Sequence, residues 1–180
     1  MKKQTQPALM FILMLLPFLL FGQRQQEIDL AAMYKKGKLK AVNREIKIVS
    51  GGSGTYLEIA PGRKEGLVWL DVKNFKNGTI EIEMRGKDVF QRSFIGIAFH
   101  GADESTYDAV YCRPFNFLAK DSVRRIHALQ YISHPDFPWD RLRKQNNAVF
   151  EKEISNPPDP DAWFTMKLAI DAAAVKAFIN

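Results

Sequence analysis

The sequence has few of the residues that build disulfides and metal centres. Among 180 residues it holds one cysteine, Cys112, and three histidines. A single cysteine excludes an internal disulfide, so the fold must depend on its core, and alternation with Val110 predicts that Cys112 is buried and unreactive. His100, His127 and His134 are too widely spaced for a local metal motif, and the chain lacks zinc-ligand spacing. The sequence therefore predicts no metal site and no cofactor.

The chain also lacks an apolar run long enough to cross a membrane. The longest such run, residues 8–21, is interrupted by Pro17 and follows two N-terminal lysines. A basic start, a short apolar segment and a small residue before polar sequence are typical of a secretory signal peptide. We predict a signal peptide over residues 1–22, cleaved after Gly22, and export to the periplasm or the cell exterior without a stable membrane anchor. An uncleaved anchor is the alternative.

No strong excess of one charge sign marks the chain. The formal net charge is +6, and it falls to +4 once the two lysines of the predicted signal peptide are removed. A basic cluster follows the signal, and we interpret it as a solvated leader rather than a nucleic-acid-binding patch: Lys35, Lys36, Lys38 and Lys40. An exported protein rarely meets intracellular nucleic acid, so nucleic acid is not an expected partner.

Short alternating segments separated by turns dominate the rest of the chain. Strands are predicted over residues 55–60, 66–72, 79–85, 93–100, 106–112, 113–118, 125–133, 163–170 and 174–179. Asn77-Gly78 predicts a tight hairpin, and Gly96 indicates a bulge or a close backbone approach. A short helix is predicted to start near Trp139. Because there is no βαβ alternation, the pattern predicts an all-β fold, an antiparallel two-sheet β-sandwich.

The pattern divides the chain into three parts. Residues 1–22 form the signal peptide, residues 23–50 a leader with the first strand, and residues 51–180 a single β-sandwich domain. The last strand-like segment, residues 174–180, has no closing partner after it, and an uncovered edge strand is an aggregation hazard. We therefore expect one or more C-terminal closing strands to be missing. The alternative is a natural end whose edge is covered by residues 24–50.

Polar and aromatic side chains are concentrated in residues 111–139. If residues 125–133 form a strand, Arg125, His127 and Tyr131 share one face, about 6–7 Å apart per two-residue step. Aromatic rings stack on sugar rings, while guanidinium, imidazole and amide groups pair with hydroxyls and carboxylates. We predict that the ligand-binding residues are Arg113, Asn116, Arg125, His127, Gln130, Tyr131, His134 and Trp139. The simpler interpretation is an ordinary solvated strand face.

Acidic residues offer two further candidates for chemistry. Glu81 and Glu83 fall on one face of a predicted strand, and retaining glycosidases use paired carboxyls about 5–5.5 Å apart. The third acid of the sandwich-type glucanase row is absent, because Arg85 and Gly86 occupy its place. A solvated face explains the pair equally well. The loop acids that could reach calcium, although their spacing matches no known cage, are Asp103, Glu104 and Asp108.

Four segments carry recognisable strand motifs. They are NGTIEIEMRG (77–86), SFIGIAFHG (93–101), YDAVYCRPFNF (107–117) and DAWFTMKLAIDAAAVKAFIN (161–180). Together they resemble the concanavalin A-like lectin/glucanase superfamily, closest to a secreted bacterial branch of laminin-G-like and 3-keto-disaccharide hydrolase-like domains. The resemblance implies a two-sheet jelly roll with a concave face suited to saccharides, and further strands after the last hairpin. It supplies no catalytic residue for this chain, since fold does not fix function.

Three hypotheses for the function follow. The first is an exported, carbohydrate-interacting, lectin-like domain whose partner is a saccharide or glycan. The second is a glycoside or 3-keto-glycoside hydrolase in which a histidine or the Glu81/Glu83 pair acts as acid or base. The third is a non-catalytic accessory or assembly module, in which the polar face of residues 111–139 is an interface.

Overall fold

A computed structural model describes residues 25–52, 54–72 and 75–180 and shows an all-β fold with short helices. The described strands are β1 (Leu39–Val42), β2 (Ile46–Gly51), β3 (Gly54–Ile59), β4 (Leu67–Leu70), β5 (Gly78–Met84), β6 (Ile95–Asp103), β7 (Thr106–Cys112), β8 (Leu129–His134), β9 (Glu151–Lys152), β10 (Phe164–Ile170) and β11 (Val175–Ile179). The helices are α1 (Leu30–Lys35), α2 (Ser122–Ile126), α3 (Trp139–Gln145) and a 3₁₀ helix over Pro114–Asn116. The predicted signal peptide lies outside the described residues, and no described helix is long and apolar enough to cross a membrane.

Two antiparallel sheets enclose the main core. One has the strand order β11-β10-β5 and the other has the order β6-β7-β8-β9. Phe99 and Val110 of the second sheet pack into one cluster with the inward side chains of the first. The β10 side chains in that cluster match the predicted alternation, because successive strand residues point to opposite faces: Phe164, Met166, Leu168 and Ile170. The predicted antiparallel two-sheet β-sandwich is confirmed.

Cys112 lies in this core, as the sequence predicts. Its side chain is fully buried, and the burial raises the pKa of the thiol to about 12. A thiol with so high a pKa carries almost no thiolate at neutral pH and is a poor nucleophile. Cys112 therefore contributes packing rather than chemistry.

The four-stranded sheet is partly covered on its outer face as well. Tyr107, Ala109 and Ile132 form a second buried cluster with Leu142 of α3. Leu67 of β4 packs against the same cluster. The predicted helix from Trp139 onward is therefore confirmed, and it shields one part of this face. The outer face near the start of β6 stays exposed.

Gly96 brings β6 and β7 unusually close together. A Cβ atom at Gly96 would lie 2.2 Å from the carbonyl oxygen of Val110 and 2.5 Å from the Cα of Tyr111. No side chain fits at such distances, so the predicted close backbone approach is confirmed. The approach fixes the position of Tyr111 relative to β6 on the outer face.

The hairpin predicted at Asn77-Gly78 is wrong. β4 pairs with β1, and β5 pairs with β10, so the strands on either side of this dipeptide belong to different sheets. Gly78 has φ +137°, a conformation that other residues rarely adopt. The dipeptide therefore redirects the chain from one sheet to another.

The leader contains more regular structure than predicted. Residues 25–50 include α1, β1 and all but the last residue of β2, and β2 pairs with β3 in a separate antiparallel ribbon. Neither leader strand pairs with β11, whose partner among the described strands is β10. Strand pairing within the described residues therefore does not support the alternative in which residues 24–50 cover the edge of the last strand. The expectation of further closing strands stays a prediction.

Residues 113–118 and 125–128, which the pattern predicts as strand, lie in loops and short helices. Pro114 has a fixed φ and no N–H, and it begins the 3₁₀ helix instead of a strand. Asp121 accepts a hydrogen bond from the Val123 N–H and so caps α2. β8 consequently starts only at Leu129. The strands predicted over residues 113–118 and at the start of 125–133 are therefore wrong.

Candidate functional site

The eight predicted ligand-binding residues do not form a single strand row. Arg125 lies in α2, His127 follows that helix directly, and Tyr131 lies in β8. The predicted common face of these three residues is therefore wrong, because strand alternation does not extend through a helix and its C-terminal turn. The structure instead distributes the eight residues over two regions and several degrees of burial.

Three of the eight residues, Arg113, Asn116 and Gln130, are buried, with between 0% and 6% of each exposed. Arg113 donates to the main-chain carbonyl of His127 at 2.8 Å. It also donates to the phenol oxygen of Tyr111 at 3.0 Å and to Oε1 of Gln130 at 3.2 Å. Asn116 donates to the same His127 carbonyl at 3.4 Å. These side chains therefore connect the loop after β7 to β8, and their polar groups are largely occupied.

A buried carboxylate, Glu151 of β9, lies at the centre of this region. Only 2% of Glu151 is exposed. Arg143 of α3 approaches it side-on, donating through Nε at 2.9 Å and through Nη2 to the other oxygen. Nη1 of Arg113 lies 3.4 Å from Oε1. Because a buried charge is costly unless it is paired and hydrogen-bonded, the two guanidiniums make this position tolerable for a carboxylate.

His127 lies against the same carboxylate. Its Nδ1 is 3.0 Å from Oε2 of Glu151, yet the two atoms are not aligned for a hydrogen bond, and this buried nitrogen has no other partner within residues 25–52, 54–72 and 75–180. Burial lowers the pKa of His127, and the attraction of Glu151 offsets only part of that shift. The imidazole is therefore neutral at pH 7, with a carboxylate beside it.

Aromatic rings extend this charged cluster in both directions across the outer face. The Arg113 guanidinium lies 5.0 Å from the centre of the Tyr111 ring, and Phe94 packs edge-on against Tyr111 at 6.1 Å. On the other side, Arg143 stacks over Trp139 at 4.7 Å. Phe94 is 54% exposed and Trp139 is 41% exposed. We call this set the outer-face row: Phe94, Tyr111, Arg113, Glu151, Arg143 and Trp139.

Six of the eight predicted residues are not members of the row, and two of these, Arg125 and His134, have their partners elsewhere. Arg125 donates through Nε to the exposed carboxylate of Glu153 at 2.6 Å, and through Nη1 to main-chain carbonyls before α2. His134 lies at the far end of β8, with Nε2 3.6 Å from Oε2 of Glu65. The row itself therefore contains only Arg113 and Trp139 of the eight predicted residues.

Tyr131 points toward the other side of its sheet, into a groove between the two sheets. Its hydroxyl donates to Oδ1 of Asp108 at 3.0 Å. His100 lies 3.0 Å from Oδ2 of Asp108 through Nδ1, and 2.7 Å from the carbonyl oxygen of Lys76 through Nε2. The three side chains line a groove of about 830 Å³ whose other walls are mostly apolar. His100 also has φ +51°, where β6 departs from regular pairing with β7.

The acidic residues considered for catalysis or calcium lie apart from the row. Glu81 and Glu83 share the exposed face of β5, as the alternation predicts, and Lys167 pairs with Glu81 at 3.2 Å. Of the three acids predicted to lie in a loop, Asp103 ends β6 and Asp108 lies in β7, so the loop prediction holds only for Glu104. Each acid has its own partners: Asp103 with Ser105 and Thr106, Glu104 with Lys40, and Asp108 with His100 and Tyr131. Within the part of the chain that the structure describes, no three such groups are placed to hold a metal ion.

Sequence reasoning missed four residues of the row: Phe94, Tyr111, Arg143 and Glu151. Glu151 lies 38 residues from Arg113, so no local spacing relates the two. Arg143 and Glu151 come together because α3 folds back over the outer face. His100 and Asp108 are likewise joined only by the pairing of β6 with β7. Each of these contacts depends on tertiary structure rather than on a motif.

Comparison of the chain with protein-family models, with curated proteins and with solved structures gives no match. The resemblance to the concanavalin A-like superfamily therefore stays a prediction. The two-sheet architecture does not depend on it, because the strand pairing and the core are observed directly.

Replacing the buried carboxylate tests whether it anchors the outer face. Glu151→Gln keeps the shape of the side chain but leaves Arg113 and Arg143 without a counter-charge. We expect it to lower the free energy of unfolding by about 3–5 kcal/mol. The matched control, Glu153→Gln, removes an exposed partner of Arg125 and should cost about 0–1 kcal/mol. Urea denaturation measures both, and equal costs would contradict the central role of Glu151.

His100 gives a pH dependence of defined sign. Its hydrogen bond to the Lys76 carbonyl, helped by the bond to Asp108, raises its pKa above the ordinary value. The stabilisation of the fold by protonated His100 is therefore complete below about pH 6.5, the pKa of histidine in the unfolded chain. It is lost as the pH rises through the higher pKa of His100 in the folded protein. Burial lowers the pKa of His127, so this residue has the opposite effect: the free energy of unfolding falls as the pH drops below about 6.5 and the ring is protonated.

Denaturation of the wild type and of His100→Gln, at about pH 6.5 and about pH 8.5, measures this dependence. We expect the wild type to have the higher free energy of unfolding, and the difference from the variant to be larger at the lower pH. The reason is that only the wild type has an imidazolium at position 100. An NMR titration of His100 gives its pKa directly. A stability difference that is the same at both pH values would show that the His100 contacts do not favour the charged ring.

Proposed function

We propose that the chain is an exported, carbohydrate-interacting β-sandwich domain of the lectin type, with a saccharide or glycan as its partner. The observation that carries this proposal is the outer-face row, in which the exposed rings of Phe94 and Trp139 flank an arginine–glutamate–arginine cluster built on the buried carboxylate of Glu151. Exposed rings can stack on the apolar faces of pyranoses, and neighbouring guanidinium and phenol groups can bind hydroxyls. Export rests on the signal-peptide pattern of residues 1–22.

The two exposed rings are held in place by their neighbours. Phe94 packs against Tyr111 and against Phe115, the latter at a centroid distance of 5.5 Å. Trp139 begins α3, lies under the Arg143 guanidinium, and belongs to a helix that is anchored in the second core cluster. Side chains that are already ordered lose less conformational freedom when a ligand binds. The row therefore suits the modest stacking energies of a saccharide.

Saccharide binding should depend on Trp139 in particular. We expect Trp139→Ala to weaken binding about tenfold or more, because a stacked tryptophan is a common dominant contact. The matched control is Phe178→Ala, which removes a ring that is similarly exposed but lies on the three-stranded sheet. A glycan array identifies the ligand, and calorimetry on the full chain then gives the affinity of each variant.

Three results would count against this proposal. The absence of any saccharide binding by the folded full chain at millimolar ligand would remove its basis. An equal loss of binding in Phe178→Ala would place the site on the other sheet. An oligomer that is disrupted by charge reversal at Arg125, without a response to sugar, would favour the accessory or assembly module.

A second candidate function is hydrolysis of a glycoside or a 3-keto-glycoside. It is favoured by one observation, the neutral His127 beside the buried carboxylate of Glu151. A neutral imidazole can accept a proton from water or substrate, and the neighbouring carboxylate would stabilise the imidazolium that forms. The Glu81/Glu83 pair has no comparable surroundings, because both carboxylates lie on an exposed strand face.

The hydrolase hypothesis is tested by release of reducing sugar from a glycoside panel. His127→Gln should lower the rate by roughly 10²–10⁴-fold if the imidazole is a general base. His134→Gln is the control, since His134 is similarly accessible but contacts Glu65 instead of Glu151. Activity that survives in folded His127→Gln, or that is lost equally in the control, would exclude this role.

A further inference from the structure

Arg143 uses only part of its guanidinium within the protein. Nε and Nη2 donate side-on to the two carboxylate oxygens of Glu151. Nη1 has no partner among the residues that the structure describes. The side chain of Arg143 is 32% exposed, whereas that of Glu151 behind it is 2% exposed. The outward edge of this guanidinium therefore offers N–H donors to solvent.

The charges of the row do not balance. Arg113 and Arg143 carry two positive charges against the single negative charge of Glu151, and His127 is neutral at pH 7. The donors of Arg113 are directed to acceptors inside the protein. The uncompensated positive charge is therefore accessible at Arg143, and not at Arg113.

Other arginines near the row differ from Arg143 in this respect. Arg124 donates to Oδ1 of Asn116 and to the Phe115 carbonyl. Arg125 donates to Glu153 and to two main-chain carbonyls. The charge of Arg125 is therefore paired with Glu153. Arg124 has no carboxylate partner among the described residues, but neutral acceptors of the protein take up its Nε and Nη2 donors.

Trp139 fixes the orientation of this outward edge. The Arg143 guanidinium lies over the indole at 4.7 Å from the ring centre, a contact that favours a stacked cation. Together with the side-on pairing to Glu151, this contact holds the guanidinium plane from two directions. A planar guanidinium held in this way matches the two oxygens of a carboxylate, which bind it in a bidentate manner.

Tyr111 supplies a second donor on the same face. Its oxygen accepts a hydrogen bond from Arg113, so its own proton is directed elsewhere, and no acceptor for that proton is found within the described residues. Burial raises the pKa of Tyr111 to about 12, which keeps the phenol protonated at neutral pH. Tyr111 can therefore donate to a hydroxyl or ring oxygen of a ligand.

We propose that the outer-face row binds an acidic saccharide, with the outward edge of Arg143 pairing with the carboxylate of a uronic-acid residue. Tyr111 donates to the same ligand, and the exposed ring of Phe94 or Trp139 contacts a sugar face. This inference rests on the proposed carbohydrate-binding function and adds the class of saccharide. It also predicts that binding weakens as salt is added, because the pair with Arg143 is partly exposed.

The test compares a charged ligand with its neutral counterpart. Uronic-acid oligosaccharides and their fully methyl-esterified forms are placed on one glycan array, and the best pair is titrated calorimetrically into the full chain. We expect the acid to bind about tenfold more tightly than the ester, because a charge-assisted hydrogen bond is stronger than a neutral one. Arg143→Lys keeps the charge near Glu151 but loses the planar fork, and it should remove most of this preference.

Two further variants make the result specific. Arg141→Lys on the same helix should leave the preference unchanged, since Arg141 stacks on Phe137 away from Glu151. Tyr111→Phe should weaken binding of the acid and the ester alike, because it removes a donor without changing the charge. Thermal unfolding of each variant confirms that the fold is retained.

The outcomes separate this inference from the function on which it rests. Equal binding of acid and ester, with both lost in Trp139→Ala, would overturn the acidic preference and leave carbohydrate binding in place. A preference that survives in Arg143→Lys would place the anion elsewhere and overturn the assignment. Binding of neither the acids nor their esters, with other saccharides on the array bound, would overturn the acidic preference alone. The absence of binding to any saccharide would overturn both proposals together.

Discussion

The carboxylate of Glu151 is the constraint on which the outer face depends. A charge with so little access to water must be met by charged partners at close range, and it is met by Arg113 and Arg143. Those two residues come from the loop after β7 and from α3, so the carboxylate joins three separate parts of the chain. The Tyr111 and Trp139 rings pack against these two guanidiniums, so the carboxylate, the cations and the rings form one connected set of contacts.

The sandwich itself was accessible to sequence reasoning, whereas the site was not. β5 and β10 alternate cleanly, so their faces could be assigned from the pattern alone. The segment around Arg113 has the alternation of a strand in its apolar and polar residues, although Pro114 and the Asp121 cap direct the chain into helical turns. Glu151 could not be found at all, since its importance arises only when distant arginines fold around it.

His100 and His127 each lie beside a carboxylate, but their surroundings favour different protonation states. Each imidazole lies 3.0 Å from a carboxylate, of Asp108 and of Glu151 respectively. His100 directs both ring nitrogens at acceptors, which favours the charged form and suits a residue that ties the four-stranded sheet to the segment before β5. His127 lies near two guanidiniums and is more buried, which favours the neutral form. A histidine beside a carboxylate is therefore a structural contact at His100, whereas at His127 it leaves a neutral imidazole that can accept a proton.

Gly96 controls the distance between two aromatic residues of the outer-face row, Phe94 and Tyr111. β6 is an edge strand, and at Gly96 its backbone touches β7 too closely for any side chain. A methyl group there would push β6 outward, and it would carry Phe94 away from Tyr111 while the opposite side of the sandwich stayed packed. Gly96 is exposed to solvent, yet it cannot be replaced by a larger residue without moving β6. The distance between the Phe94 and Tyr111 rings therefore depends on a glycine that belongs to neither ring.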